Sequence, residues 1–375
     1  MRIKAAVLRT MGVRAPYADS RPLAIEELEL APPGDGEVLV RVVAAGLCHS
    51  DLSVINGDRP RPVPMALGHE AAGVVEEVGR GVTDLKAGDH VVMVFVPSCG
   101  HCLPCMEGRP ALCEPAAVTN GAGSLLSGEW RLHGSGGERV NHHVGVSAFA
   151  EYAVVSRNSL VRIDPSLPLE HAALFGCAVL TGAGAVFNTA RVQPGTSVAV
   201  VGLGGVGLSA LLGAVTAGAA RVIAVDIVDG KLAMAKGLGA THTFNATQDG
   251  CADAIRDLTG GGVETALEMA GSPQAMDLAY RITRRGGTTV TAGLPNPTLR
   301  WPLNIVSLVG EERTVKGSYI GSAVPGRDIP RYIGLFQAGR LPVDKLLSER
   351  VKLDGLNAAF DRLAKGESIR QVLTF

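Results

Sequence analysis

The sequence predicts an α/β protein in two parts, a mostly β part followed by a doubly wound parallel sheet. Three observations lead there. As far as Ser159, apolar runs of strand length are punctuated by Gly, Pro and Asp turns. From Gln193 onward, strand-like and helix-like segments alternate. At the head of that alternation, Gly202-Leu203-Gly204-Gly205-Val206-Gly207 joins an apolar run to a helix-compatible segment.

At 375 residues the chain is too long for one simple core, so two domains are expected. A hydrophobic content of 46% with 19% charged residues indicates a globular chain, not a disordered one. The net charge of −1, with no basic block, argues against a nucleic-acid partner. Residues 1–8 lack the form of a signal peptide, so the cytoplasm is the expected location. Seven cysteines in that setting read as metal ligands or reactive thiols, and their odd number agrees.

In the first part, strands are expected at residues 38–45, 71–78 and 90–96. In the second, they are expected at 198–201, 222–225, 241–244, 264–269, 288–291 and 315–319. Helical patterns at 231–238, 252–258 and 273–282 lie between them. The tail after Gly321 loses the alternation and is expected to return to the first part. The charge-free stretch 192–220 is long enough to span a bilayer. Its glycines and strand-like opening suit a buried parallel sheet better, so no membrane partner is expected.

In strand–turn–helix context the glycine run reads as a dinucleotide cradle. Gly202 permits the tight turn, Gly204 and Gly205 let backbone N–H groups approach a pyrophosphate, and Gly207 allows close helix–strand packing. Val206 opens the helix whose N-terminus faces the phosphates. Asp226 closes the next strand 19 residues after Gly207, where a carboxylate accepts ribose hydroxyls and repels a 2′-phosphate. NAD is therefore expected over NADP.

Cys99, Cys102, Cys105 and Cys113 fall within fifteen residues. Four thiolates make a closed tetrahedral zinc site of structural type. An iron–sulfur cluster is the competing reading, which a colourless protein would exclude. His101 and Glu107, with four thiols at hand, read as solvated. Cys48 in Cys48-His49-Ser50-Asp51, His69 in Gly68-His69-Glu70 and Cys177 after Gly176 are scattered. Together they supply two thiolates and one imidazole, a zinc set with its fourth position open.

In order and spacing, Gly68-His69-Glu70, the four-cysteine lobe, the glycine turn and the ending 366–375 resemble the zinc-dependent medium-chain alcohol dehydrogenases over essentially the whole chain. Within that family the chain is most similar to the branch of liver-type alcohol dehydrogenases and glutathione-dependent formaldehyde dehydrogenase. The resemblance implies a GroES-like, mostly β catalytic domain at 1–178, completed by 321–375, and a Rossmann NAD-binding domain at 179–320. It implies two zinc ions per chain, one held by Cys48, His69 and Cys177 and one by the four-cysteine lobe.

Further roles follow from the same resemblance. Asp51 and Glu70 match carboxylates behind the catalytic metal, and Ser50 matches the residue that bonds the substrate hydroxyl. Lys231 and Arg370 match contacts to ribose and pyrophosphate; outside the resemblance each reads as a surface cation. His49 matches another pyrophosphate contact. Ser53 stands where much of the family has a proton-relay histidine, leaving His49 or water to continue the relay. Phe95, Leu294 and Tyr319 match apolar pocket walls. His143, aligned on Gly145, falls where relatives place an aromatic or bulky apolar group, although the adjacent pair His142-His143 reads first as a surface or interface feature.

The implied activity is oxidation of a primary or secondary alcohol by NAD, with zinc as Lewis acid. The alternatives are oxidation of S-(hydroxymethyl)glutathione and a catalytically silent zinc- and nucleotide-binding protein. A homodimer or homotetramer through sheet edges near 301–319 is also implied.

Overall fold

Three sheets take up the apolar runs of the sequence. A computed structural model describes all 375 residues. The chain divides into a first unit, Met1–Cys177 with Val324–Ile333 and Leu347–Phe375, and a second, Ala178–Ala323 with Gly334–Leu346.

The first unit opens with β1 (Arg2–Leu8), β2 (Leu23–Leu30) and β3 (Glu37–Gly46), then helix α1 (His49–Ile55). Strands β4 (Met65–Ala66), β5 (Ala71–Val78), β6 (His90–Met93), β7 (Leu132–His133) and β8 (Arg139–His142) follow. Next come β9 (Tyr152–Ser156) and β10 (Leu160–Ile163). Strands β1, β2, β7, β8 and β4 close a small barrel. Strand β3 is the spine of the second sheet, pairing antiparallel with both β5 and β9. Its valines 38, 40 and 42 are buried in one apolar cluster with Phe149 and Phe360. Strand β6 stops at Met93, short of the expected residue 96, and the Val94 N–H turns to the Ser159 carbonyl.

The second unit builds its sheet from β11 (Ser197–Val201), β12 (Arg221–Asp226), β13 (His242–Asn245), β14 (Val263–Glu268), β15 (Thr283–Thr291) and β16 (Thr314–Gly317). All pairs are parallel, in the order β13-β12-β11-β14-β15-β16. The crossovers include α2 (Gly205–Thr216), α3 (Asp229–Gly237), α4 (Cys251–Thr259) and α5 (Pro273–Ile282). Central β11 is buried along its whole length, as a parallel strand covered on both faces must be. Strand β15 begins at Thr283, earlier than expected, because α5 runs directly into it. The charge-free stretch is thus a strand and a helix leading to β12, and no single helix is long and apolar enough to cross a membrane.

Strands β17 (Leu347–Val351) and β18 (Arg370–Thr374) rejoin the first unit. Val372 of β18 faces Gly46 of β3, so the chain end carries Arg370 next to the residues that follow β3.

His142 is buried in β8, where its Nε2 accepts the Arg131 N–H at 3.0 Å. Burial, then Arg131 and His133, push its pKa down to about 3. An unfolded imidazole protonates near pH ~6.5, so the stability this group contributes is full above that pH and is lost as pH falls toward the folded value. His142→Gln, which retains an acceptor, should lose up to about 1.4 kcal/mol less per pH unit in that window. Urea midpoints at several pH values read the difference.

Candidate metal centres and nucleotide cleft

Each residue of the scattered cysteine–histidine set is delivered by a feature of local sequence. Cys48 precedes α1, whose third residue, Asp51, accepts the Cys48 N–H on Oδ2 at 3.1 Å. Gly68, at φ +93°, leads to His69; a Cβ there would lie 2.5 Å from the Phe149 nitrogen. Gly176 precedes Cys177, and its Cβ would lie 2.4 Å from the Met93 carbonyl oxygen. Only glycine lets the backbone come that close at these two positions.

The ligand atoms of Cys48, His69 and Cys177 lie within 4.8 Å of one another, and all three residues are buried. His69 Nδ1 is 3.0 Å from Asp51 Oδ1, while its Nε2 is buried without a hydrogen-bond partner. Leaving such an atom unpaired costs about 1–3 kcal/mol. A cation held by this nitrogen and two thiolates removes that cost, so the residues fit a zinc ion.

The electrostatics favour a positive charge at this point. The Cys177 thiol, hydrogen-bonded to Cys48, holds the Cys48 pKa well below its ordinary value despite burial. The Cys177 pKa rises correspondingly. Burial works against protonating His69, yet Asp51 and Cys48 lift its pKa well above the ordinary imidazole range. Burial also works against Asp51, but His69 and His143 hold its carboxyl below the usual value. Glu70 is pushed up to about 7 by burial, against the pull of Arg370.

Arg370 is 3% exposed, which corrects the surface-cation reading. Its Nη1 donates to the Leu47 carbonyl at 2.9 Å and its Nη2 lies 3.5 Å from Glu70 Oε2. His142 and His143 are also buried, not a surface or interface pair. Strand β8 buries the first, and the second lies 3.2 Å, Nδ1 to Oδ1, from Asp51. The rings of Phe95 and His143 each stand edge-on to the His69 ring at 5.3 Å. Ser50 is half-buried and His49 exposed at the start of α1. Ser53 donates back to the His49 carbonyl at 2.9 Å. Leu294 and Tyr319 belong to the second unit and are 49% and 38% exposed.

The sulfurs of Cys99, Cys102, Cys105 and Cys113 also lie within 4.8 Å of one another. Backbone N–H groups point at them: Cys102 to Cys99 at 3.3 Å and Cys99 to Cys113 at 3.2 Å. Burial opposes ionisation of Cys99, but the N–H groups of His101 and Cys102 bring it to about 7. Cys105 is pushed up to about 12 by burial. His101 bonds the Cys99 carbonyl through Nδ1 at 2.9 Å, and Glu107 is exposed.

In the second unit, a Cβ on Gly207 would fall 1.8 Å from the Gly202 carbonyl oxygen, so that pair packs backbone on backbone. A Cβ on Gly204 would meet nothing within 4 Å; the space over the N-terminus of α2 is open for a phosphate. Gly205 and Val206 form the first turn of α2. Asp226 accepts the Leu203 N–H on Oδ2 at 2.6 Å and the Val228 N–H on Oδ1 at 3.0 Å, fixing the turn and its own carboxylate. A cleft of about 720 Å³ opens here, lined by Gly202, Asp226, Thr247, Arg281 and Trp301 among others. Lys231 is half-buried in α3. An open helix N-terminus beside a strand-end carboxylate is an arrangement suited to a nucleotide.

The sequence reading missed Glu268. It is buried at the end of β14, where Oε1 accepts the N–H groups of Ala270 and Gly271 at 2.8 and 2.6 Å. Its Oε2 accepts the Thr291 hydroxyl at 2.6 Å. An acid ending an apolar strand, as at Asp226, was the available signal.

Converting Cys113→Ser should lower bound zinc by one ion per chain and lower the melting temperature, since a four-thiolate site contributes to folding directly. Metal analysis beside calorimetry checks both.

Residues 34–165 match the alcohol dehydrogenase GroES-like domain and residues 205–338 the zinc-binding dehydrogenase family. The chain is 42% identical, over 379 aligned positions, to an NDMA-dependent alcohol dehydrogenase from Amycolatopsis methanolica, covering 100% of this chain and 99% of that one. A crystal structure of an alcohol dehydrogenase zinc-binding domain protein from Burkholderia ambifaria superposes with a TM-score of 0.94 at 39% identity, covering 100% and 99% of the two chains. Benzyl alcohol dehydrogenase from Acinetobacter calcoaceticus gives 0.92 at 36% identity, with the same coverage. With the GroES-like and parallel-sheet architecture and the converging cysteine–histidine set already described, these matches show that the chain belongs to the zinc-dependent medium-chain alcohol dehydrogenase family.

Proposed function

We propose that this chain transfers hydride reversibly between the carbinol carbon of a primary or secondary alcohol and NAD, giving an aldehyde or ketone. The observation that carries the reading is the convergence of Cys48, His69 and Cys177 around a buried, partnerless His69 Nε2. Zinc bound there supplies a Lewis acid that acidifies the alcohol, and the nicotinamide supplies the hydride acceptor.

The chain's own residues do the rest. Two thiolates and a neutral imidazole cancel a divalent charge, and Asp51 fixes the His69 tautomer through Nδ1. Ser50 takes the substrate proton. Ser53 is bonded back to its own helix, so His49 or water continues the path. Asp226 accepts ribose hydroxyls, Gly204 and Gly205 admit the pyrophosphate, and Lys231 supplies a cation, while Arg370 braces the segment before Cys48 through the Leu47 carbonyl. The four-cysteine lobe holds a second, structural zinc. The first unit, Met1–Cys177 with Val324–Ile333 and Leu347–Phe375, serves as the catalytic domain, and the second, which takes in Gly334–Leu346 as well as Ala178–Ala323, as the cofactor domain.

All seven cysteines are unpaired, which supports a reducing location such as the cytoplasm. Strand β16 is the outer strand of its sheet, and Ile305, Val306 and Val309 nearby in sequence are 71%, 78% and 71% exposed. Both features support a homodimer or homotetramer through this edge.

A second reading of the acceptor comes from the 42%-identical relative, whose name makes it NDMA-dependent. In that reading NDMA, not free NAD, sustains turnover. Carbonyl product formed from an alcohol panel, with NAD, NADP or NDMA supplied in turn, separates the readings. Formaldehyde with and without glutathione tests the thiol-adduct alternative. No turnover with any acceptor by zinc-loaded protein would defeat the proposal. Chelation should abolish product formation. At intact zinc content Ser50→Ala should lower kcat by about 100-fold or more. Ser53→Ala should stay within about threefold, and equal losses would refute the relay assignment.

A further inference from the structure

We infer that His143 is a specificity-determining residue that accepts a hydrogen bond from a second donor group on the alcohol, such as another hydroxyl. The inference rests on the functional reading above, since it concerns the substrate of the same site.

Three observations lead to it. First, His143 lies against the metal set: its ring stands edge-on to that of His69 at 5.3 Å, as Phe95 does at the same distance. The walls flanking this ligand are therefore one hydrocarbon ring and one imidazole. Second, the imidazole is 97% buried, at 3% exposure, and its Nδ1 has no hydrogen-bond partner within the protein. Nδ1 lies 3.2 Å from Asp51 Oδ1 but outside hydrogen-bond geometry. Buried polar groups of this kind are rarely left unused, because the desolvation they suffer is otherwise uncompensated.

Third, the backbone holds the ring in place at some conformational expense. Val144 at φ +45° and Ser147 at φ +56° are both in the left-handed region without being glycine. The Ser147 hydroxyl accepts the His143 N–H at 2.8 Å and donates to the Ala66 carbonyl at 2.8 Å, tying the loop to β4. Strain of this kind collects at binding sites, where the surroundings over-determine one conformation. A residue needed only to fill space would not require it.

The carboxylate of Asp51 decides the polarity of the contact. The negative charge 3.2 Å from Nδ1 favours the tautomer with the proton on that nitrogen even without a formed hydrogen bond, which leaves Nε2 as an acceptor. The substrate group it suits is thus a donor, a hydroxyl or an amine, and not an ether or a methyl. Phe95 offers no such partner on the other flank.

The test uses the zinc-loaded full chain and pairs of alcohols that differ only by hydroxyl for methyl: 1,3-propanediol against 1-butanol, and 1,4-butanediol against 1-pentanol. The diol-to-alcohol ratio of kcat/KM should fall by about tenfold or more in His143→Phe, the loss expected of one good hydrogen bond. His143→Gln, which keeps an acceptor near the Nε2 position, should restore part of it, and 3-methoxy-1-propanol should behave like 1-butanol. Calorimetric binding of the same pairs to wild type and both variants gives a readout that does not need turnover. A ratio unchanged in His143→Phe, by kinetics and by binding, overturns the inference while leaving alcohol oxidation intact. Absence of turnover with every alcohol would instead remove the functional reading.

Discussion

The contact on which the first unit's chemistry depends is between Asp51 and His69, 3.0 Å from Oδ1 to Nδ1 with both groups buried. It fixes which imidazole nitrogen faces the two sulfurs, and it leaves Nε2 with nothing else to bind. A carboxylate in that position makes the site receptive to positive charge, and burial keeps water from screening it. The same carboxylate reaches further. Its oxygens also accept the N–H groups of Cys48 at 3.1 Å and Gly68 at 3.3 Å. One side chain thereby ties two metal-ligand segments together, and a change there would disturb backbone and metal at once.

A second charge pair lies behind the first. Arg370 and Glu70 are both buried, so neither is a solvated surface group, and Arg370 also caps the Leu47 carbonyl one residue before Cys48. Buried ion pairs of this kind are poor evidence for stability, because desolvation offsets their attraction. Their value here is positional. Strand β18 pairs with β3, so the last residues of the chain brace the first metal-binding segment. Truncating the C-terminus would remove a structural element of the site, not a loose tail.

The second unit obeys a different constraint, close approach of backbone to backbone. Gly202 and Gly207 leave no room for a Cβ between them, whereas Gly204 faces open space. Asp226 then spends its oxygens partly on the turn itself, through Leu203 and Val228. The carboxylate is therefore held in one orientation by the turn that it closes. Glu268 does comparable work at the end of β14.

The sequence by itself determined the periodic and local features. The central strands β11, β12 and β14 could be read from apolar runs, because strands buried on both faces have little other composition available. The less buried β13, β15 and β16 were legible only from their place in the strand–helix alternation. The four-cysteine lobe was legible for a related reason, since its ligands lie within fifteen residues and short loops leave them few other arrangements. Tertiary structure decided what depends on distant segments meeting. Nothing local to Asn141-His142-His143 says that both rings are buried; that follows from β8 entering the barrel and from Ser147 pinning the loop to β4. Nor does Arg370 announce itself as a buried cation, because its partners, Glu70 and Leu47, lie about three hundred residues earlier. Charge and ring type are written in the chain, but burial and partnership are set by the fold, and for these residues burial governs the chemistry.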